Sequence, residues 1–312
     1  MPESNDDQLL ILIDGHAVIH RAWHAIQQPL HVSSSGEEVR AVYGFLNTFL
    51  KTISDWNPSH CAIAFDLPVP TFRHQQFPDY KAHRPPSPPE LRSQFGRVKQ
   101  LMNAFQVPIF ECASYEGDDI LGTLSSQAEK RRLDTIIVTG DTDTLQLVNP
   151  WVKVLLSTSV RKRALYDKLA VNNRYGGLQP SQIPEIKALE GDSSDNIPGV
   201  PGIGGKTAIK LLSEYGSIEE IYANIDSVTP TRFQNVLLEY KDQTFLSKDL
   251  ATIVKTAPVE LNTEDSLFWK YDRTDVVEFL RELEFYTSVS RIPIGSKDAI
   301  ESQITLGFTE EN

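Results

Sequence analysis

The sequence predicts an α/β fold with a mostly parallel central sheet, followed by a smaller helical region. Three observations carry this. Short apolar runs each lead into an aspartate: "LLILID" into Asp14, "CAIAFD" into Asp66 and "TIIVTGD" into Asp141. Amphipathic stretches such as "VYGFLNTFLKTI" and "ELRSQFGRVKQLMNAF" separate them. Beyond Pro184 the pattern is helical, with short glycine and proline breaks. Apolar runs of this length, bounded by turn signals, read as buried strands. Strands alternating with helices imply crossovers and a parallel sheet. Ligands of such sheets bind beyond the carboxyl ends of the strands, where the three aspartates fall.

Composition narrows the classes. The 312 residues are 40% hydrophobic and 23% charged, enough for an ordinary globular core. A net charge of -12 argues against a basic nucleic-acid coat protein. It leaves room for an enzyme that gathers its acids around a metal. Cys61 and Cys112 cannot build a disulfide framework, which points to a reducing cytoplasm. The acidic start "MPESNDDQ" and the short run "LLILI" give neither a signal peptide nor a membrane span.

After Asp66 the stretch "LPVPTFRHQQFPDYKAHRPPSPPELR" loses apolar periodicity and reads as a long loop or arch over about residues 67–95. Arg73, His74, Tyr80, Lys81, His83 and Arg84 make it basic within an acidic chain. That suits a solvated loop. It equally suits a phosphate anchor in which Tyr80 or Phe77 stacks on a base. The next helix is predicted to open with Ser87 as N-cap, Pro88 in the first turn and Glu90 completing the capping pattern.

Acids dominate the following motifs. Glu116, Asp118 and Asp119 open a helix in "YEGDDILGTL", where acids also favour the helix dipole. Asp141 and Asp143 follow a strand in "TGDTDTLQLV". Asp192 and Asp195 in "GDSSDN" fit an acidic turn as well as a metal site. Gathered with Asp14 and Asp66, these carboxylates would repel one another and be hard to ionise. Mg²⁺ relieves that repulsion, taking oxygen ligands while keeping several waters. The set exceeds one ion's needs, so two or more ions are expected. Such a site activates a hydroxide and stabilises the leaving oxygen of a phosphodiester.

In "GVPGIGGKTAIKLL" the Gly-Lys-Thr suggests a nucleotide phosphate loop. That loop needs a glycine where Val200 stands, and it should follow a buried strand. The better reading is a helix-hairpin-helix. Gly202, Ile203, Gly204, Gly205, Lys206 and Thr207 would bring backbone N–H groups to DNA phosphates, with Lys206 and Lys210 adding charge. Ser217 and Glu220 then form another capping pattern.

These motifs stand in the order seen in bacterial 5′-nucleases, and the chain resembles that flap endonuclease/5′–3′ exonuclease superfamily, which includes the N-terminal domain of DNA polymerase I. The likeness runs from about Leu9 to Arg291. It implies a PIN-like core at residues 8–183 with a helical arch, a helix-three-turn-helix subdomain at 184–295, and a polar tail at 296–312. It implies hydrolysis of duplex DNA near a 5′ flap, nick or free 5′ end, by a monomer. Asp14, Asp66, Glu116 and Asp118 are then ligands around a first ion. Asp119, Asp141, Asp143, Asp192 and Asp195 complete the site and hold a second. Lys81, Arg84 and Arg21 attend the scissile phosphate, while Arg73 and Tyr80 contact DNA. Mn²⁺ is expected to substitute for Mg²⁺, and K⁺ to sit at the hairpin. Many relatives carry lysine where Thr142 stands, so a local charge contact is expected to be lost. Two other readings stay open: a structure-specific DNA-binding module without catalysis, and a PIN-like ribonuclease.

Overall fold

Strands in a parallel sheet are covered on both faces, and the two most apolar runs of this chain meet that demand. The computed structural model describes residues 8–159 and 162–294. In it β1 (Leu9–Asp14) and β2 (His60–Ala64) are buried almost throughout. They pair in parallel with β3 (Ile109–Phe110), β4 (Asp134–Thr139) and β5 (Val152–Ser159), while β6 (Lys162–Tyr166) runs antiparallel at the edge. The order is β3-β2-β1-β4-β5-β6. Leu12 of β1 pairs with Ala62 on one side and Ile137 on the other. Asp14, Asp66 and Asp141 therefore leave the sheet at one edge. Asp66 and Asp141 stand two residues beyond the last paired residue of their strands, on the loops.

Helices cover both faces. α1 (Gly15–Ala25) starts directly from β1. α2 (Arg40–Trp56) packs on the first face with Phe45 and Phe49. Phe49 meets Phe105 edge-on at 4.9 Å, and Phe105 meets Tyr271 at 5.1 Å. Each ring buried this way stabilises the fold by about 2–3 kcal/mol. Segment 67–88 carries only the five-residue α3 (Phe72–Gln76) and turns. α4 (Pro89–Ala104) then joins the first face. Its N-cap is Pro88, not Ser87, and no side chain caps it. Ser87 and Pro88 each precede a proline, which pushes both toward extended backbone and delays the helix. α5 (Gly117–Lys130) covers the second face through Ile120, Leu121 and Leu124.

After α6 (Lys168–Arg174), the helices α7 (Ile183–Glu190), α8 (Gly205–Tyr215), α9 (Ile218–Ala223) and α10 (Thr231–Glu239) share a third core around Leu189, Leu212, Ile221 and Leu237. Ser217 caps α9 by accepting from Glu220 N, as its spacing predicts. α11 (Lys241–Ala251) packs against α7. α12 (Arg273–Glu282) returns to the first face through Val276 and Leu280. The polar tail at 296–312 lies outside the described residues. Among those described, no helix is long and apolar enough to cross a membrane.

Candidate active site

Backbone amides and one hydroxyl aim the carboxylates at the sheet edge. Asp14 caps α1, accepting from Ala17 N at 2.9 Å, while Thr139 at the end of β4 donates to its other oxygen at 2.6 Å. Asp66 accepts from Gly117 N at 2.6 Å, tying the exit of β2 to the start of α5. Asp141 accepts from Asp143 N at 2.9 Å. Asp14, Asp66, Glu116, Asp118 and Asp141 thereby line one hollow of about 620 Å³, together with Lys81 and Arg84.

Basic side chains answer the acids. Lys81 Nζ donates to Glu116 at 2.8 Å and lies 3.6 Å from Asp195. Arg84 pairs with Asp195. Lys81 adopts a left-handed backbone, φ 57°, uncommon for a residue with a side chain, and its N–H donates to Asp195 O at 2.9 Å. Lys187 on α7 bridges Asp143 and Asp192. No motif marked Lys187; its one signal was its place shortly before Asp192. It sets a cation on Asp143. His16 was also unmarked, and it accepts from Asp66 N at 3.1 Å.

Several predicted residues are placed otherwise. Arg73 is 2% exposed and grips Asp119 with two bonds of 2.7 and 2.8 Å, also donating to Leu250 O and Thr252 O. It is an internal tie rather than a DNA anchor. Asp119 is fully buried and also accepts from Val254 N and Glu116 N. Its acceptor sites are filled, so it is not an ion ligand here. Tyr80 is 2% exposed and its hydroxyl lies 3.0 Å from both Glu116 and Asp195, so its ring is not free to stack on a base. Charge-assisted hydrogen bonds to buried acids outweigh solvation of these arch side chains. Arg21 faces an adjoining hollow beside Gly140 and Thr142, not the one holding Lys81 and Arg84. Ile203 is buried, leaving only its backbone for contacts.

The acids divide electrostatically. Burial, with repulsion from Asp66 and Asp141, pushes Asp14 up to about 7. Burial and Asp141 push Asp143 up to about 7 despite Lys187. Burial and the charges of Asp141 and Asp14 carry Asp118 well above the usual carboxylate range. Asp192 behaves oppositely: burial would raise it, but Lys187 outweighs that and holds it at about 2. Asp195 is likewise lowered by Lys81 and Arg84 against its burial. Among the described residues no three acids already form a ligand shell for an ion. The donor set still fits a hard divalent cation: oxygen ligands only, brought to one hollow, with Asp14 and Asp118 destabilised as anions.

The connection from α7 to α8 is tight. A Cβ on Gly199 would lie 2.4 Å from Glu190 C and Gly191 N, so the backbones meet there. Gly202 has φ +78°, the left-handed region that favours glycine. Gly204, Lys206 and Lys210 are exposed, whereas Gly205 and Thr207 are half-buried. Thr207 N donates to Gly204 O at 2.9 Å and Ala208 N to the same carbonyl at 3.0 Å, which leaves Gly205 and Lys206 as the amides of α8 without a helical acceptor.

Comparison with known proteins adds family evidence. The family described as 5′–3′ exonuclease, N-terminal resolvase-like domain, matches residues 9–176, and its C-terminal SAM fold matches residues 178–274. DNA polymerase I of Chloroflexus aurantiacus is 43% identical over 287 residues, covering 91% of this chain and 30% of that protein. DNA polymerase I of Bacillus caldotenax is 39% identical, covering 96% of this chain and 34% of that protein. The chain thus spans about a third of the length of these curated relatives. Among solved structures, T5 5′-exonuclease with bound zinc superposes with a TM-score of 0.65 at 19% identity, covering 89% and 99% of the two chains. The catalytic core of Rad2 in complex with DNA substrate gives 0.58 at 14% identity, covering 89% and 88%. At these identities the two structures speak for the fold.

Proposed function

The chain belongs to the 5′–3′ exonuclease family, and we propose that it is a structure-specific 5′-nuclease of DNA replication and repair. It would hydrolyse phosphodiesters near a 5′ flap, nick or free 5′ end, acting as a cytoplasmic monomer. One observation carries this reading: five carboxylates, of which Asp14 and Asp118 are destabilised as anions, share a hollow with Lys81 and Arg84. Asp14, Asp66, Glu116, Asp118 and Asp141 would hold Mg²⁺, partly through water, and Mn²⁺ could replace it. Asp143, Asp192 and Asp195 would serve a second ion. Bound ions of this kind supply a hydroxide nucleophile and stabilise the leaving oxygen.

The chain's own residues do the rest. Lys81 and Arg84 hold the scissile phosphate, exchanging their carboxylate partners for its oxygens. Thr139 keeps Asp14 aimed at the hollow. Arg21 reaches the same strand from the adjoining hollow. Residues 8–183 form the nuclease core. Within 184–295, the backbone of Gly202 to Thr207, with Lys206 and Lys210, grips duplex phosphates without reading sequence. K⁺ would sit at that hairpin.

The test is a labelled 5′-flap duplex incubated with Mg²⁺, with EDTA, and beside a matched RNA flap. Cleavage of DNA that needs Mg²⁺ supports the proposal. Binding without cleavage would make the chain a DNA-binding module, and preference for the RNA flap would make it a ribonuclease.

A further inference from the structure

A further cleft, of about 390 Å³, opens between α1, α2 and the β5–β6 edge; it shares no residue with the carboxylate hollow, and Arg21 and Ala25 with the one beside Gly140. Arg21, Lys51, Arg163 and Arg291 line it, and no acid does among the described residues. That inverts the local charge in a chain of net -12.

Among the described residues no carboxylate forms an ion pair with Arg21, Arg163 or Arg291, and Asp55 acts on Arg163 only from farther away. Among the described residues Arg163 donates to Thr52 Oγ1 and Thr48 O, each at 3.3 Å. Arg291 donates to the neutral Asn47 Oδ1. Arg21 Nε is buried with no hydrogen-bond partner among the described residues. Lys51 sits on the exposed rim with Asp55. Burial lowers the pKa of both Arg21 and Arg163. Taking a guanidinium from water without a carboxylate costs free energy, and an incoming anion offsets that cost. The planar fork of arginine matches the oxygens of a phosphate. The rest of the wall includes Ile26 and Tyr43, whose ring is held edge-on by Phe285 at 5.2 Å. The volume falls within the range of small-molecule sites.

We propose that this cleft binds a nucleotide, with its phosphate toward the arginines and its base against the Ile26–Tyr43 wall. The cleft holds none of the carboxylates; it shares Arg21 with the proposed nuclease machinery, so the test rests on Arg163 and Lys51, which have no part in that reading.

Calorimetry in EDTA tests it, with dAMP, deoxyadenosine, inorganic phosphate and a 5′-phosphorylated hexanucleotide as probes. dAMP should bind at least about tenfold tighter than deoxyadenosine or phosphate, each tenfold step being about 1.4 kcal/mol. Arg163→Gln should weaken dAMP by about tenfold, and Lys51→Gln by about threefold, scaled to one charged contact each. Lys51 is exposed, so its variant keeps the assay interpretable if Arg163→Gln fails to fold. A hexanucleotide that binds more than tenfold tighter than dAMP, with the same sensitivity to both substitutions, assigns the cleft to a strand. Equal affinity assigns it to the free nucleotide. Binding of dAMP no tighter than deoxyadenosine or phosphate, or unmoved by these substitutions, overturns the proposal.

Discussion

The acids of the sheet edge and those ahead of the hairpin are the same residue type beside the same hollow, yet they are held in opposite ways. Asp14 and Asp118 lie at the end of β1 and the start of α5, where burial and neighbouring carboxylates resist ionisation. Asp192 and Asp195 lie before the hairpin, where Lys187, Lys81 and Arg84 favour it. The sheet edge therefore stores a demand for external cations. The hairpin side meets its demand with the chain's own lysines and arginine. Charge count alone does not distinguish the two; the placement of basic side chains does.

The largest expected effect breaks the sheet edge. Asp118→Asn should slow flap cleavage by about 10²–10³-fold, the range seen when a stabiliser of the reacting centre is removed. Flap-duplex affinity should stay within about threefold, and a gel-shift assay beside the cleavage assay checks both. Persistent cleavage would remove Asp118 from the metal row.

Arg73→Met strikes the internal tie instead. Breaking the buried Arg73–Asp119 pair should cost about 3–5 kcal/mol. That corresponds to a fall of roughly 6–10 °C in Tm, at about 2 °C per kcal/mol for a chain of this size. An unchanged Tm with weakened DNA binding would return Arg73 to the DNA interface.

The pH dependence sharpens the comparison. In metal-free protein Asp14 and Asp143, both raised to about 7, bind more protons folded than unfolded between about 4 and 7. Their contribution to stability is therefore present at low pH and lost as pH rises through that window. Asp192, held at about 2, contributes stability above about 4 that is lost as pH falls toward 2. The Tm of Asp143→Asn relative to the unmodified chain, measured in EDTA, should accordingly climb from pH 5 to pH 8. A flat difference would contradict the assignment.

The smallest effect lies at the hairpin. Lys206→Ala and Lys210→Ala should each weaken duplex binding by a few-fold and lower the salt slope by about one, leaving the cleavage rate of bound DNA unchanged. Salt-dependent binding isotherms measure this.

How much was legible follows from the kind of signal. The strand-end aspartates were readable because short apolar runs announce buried strands and the acids punctuate them. The capping of α9 was readable from Ser217 and Glu220. β3, with two residues, and the β5–β6 pair left weaker periodicity and went unread as elements. Side-chain direction was not legible. Arg73, Tyr80 and Asp119 have the composition of a DNA-facing arch and a metal ligand, yet pairing across long sequence distances turns them inward. Lys187 escaped notice because its partners Asp143 and Asp192 meet only after folding.

On the proposed function the sheet-edge acids, more than the lysine-paired ones, create the tight cation site. Calorimetric Mg²⁺ titration at pH 8 of the unmodified chain, Asp118→Asn and Asp192→Asn tests it directly. Asp118→Asn should weaken the tightest site by more than about tenfold, while Asp192→Asn should change it by less than about threefold. Equal losses, or a larger loss in Asp192→Asn, would contradict it.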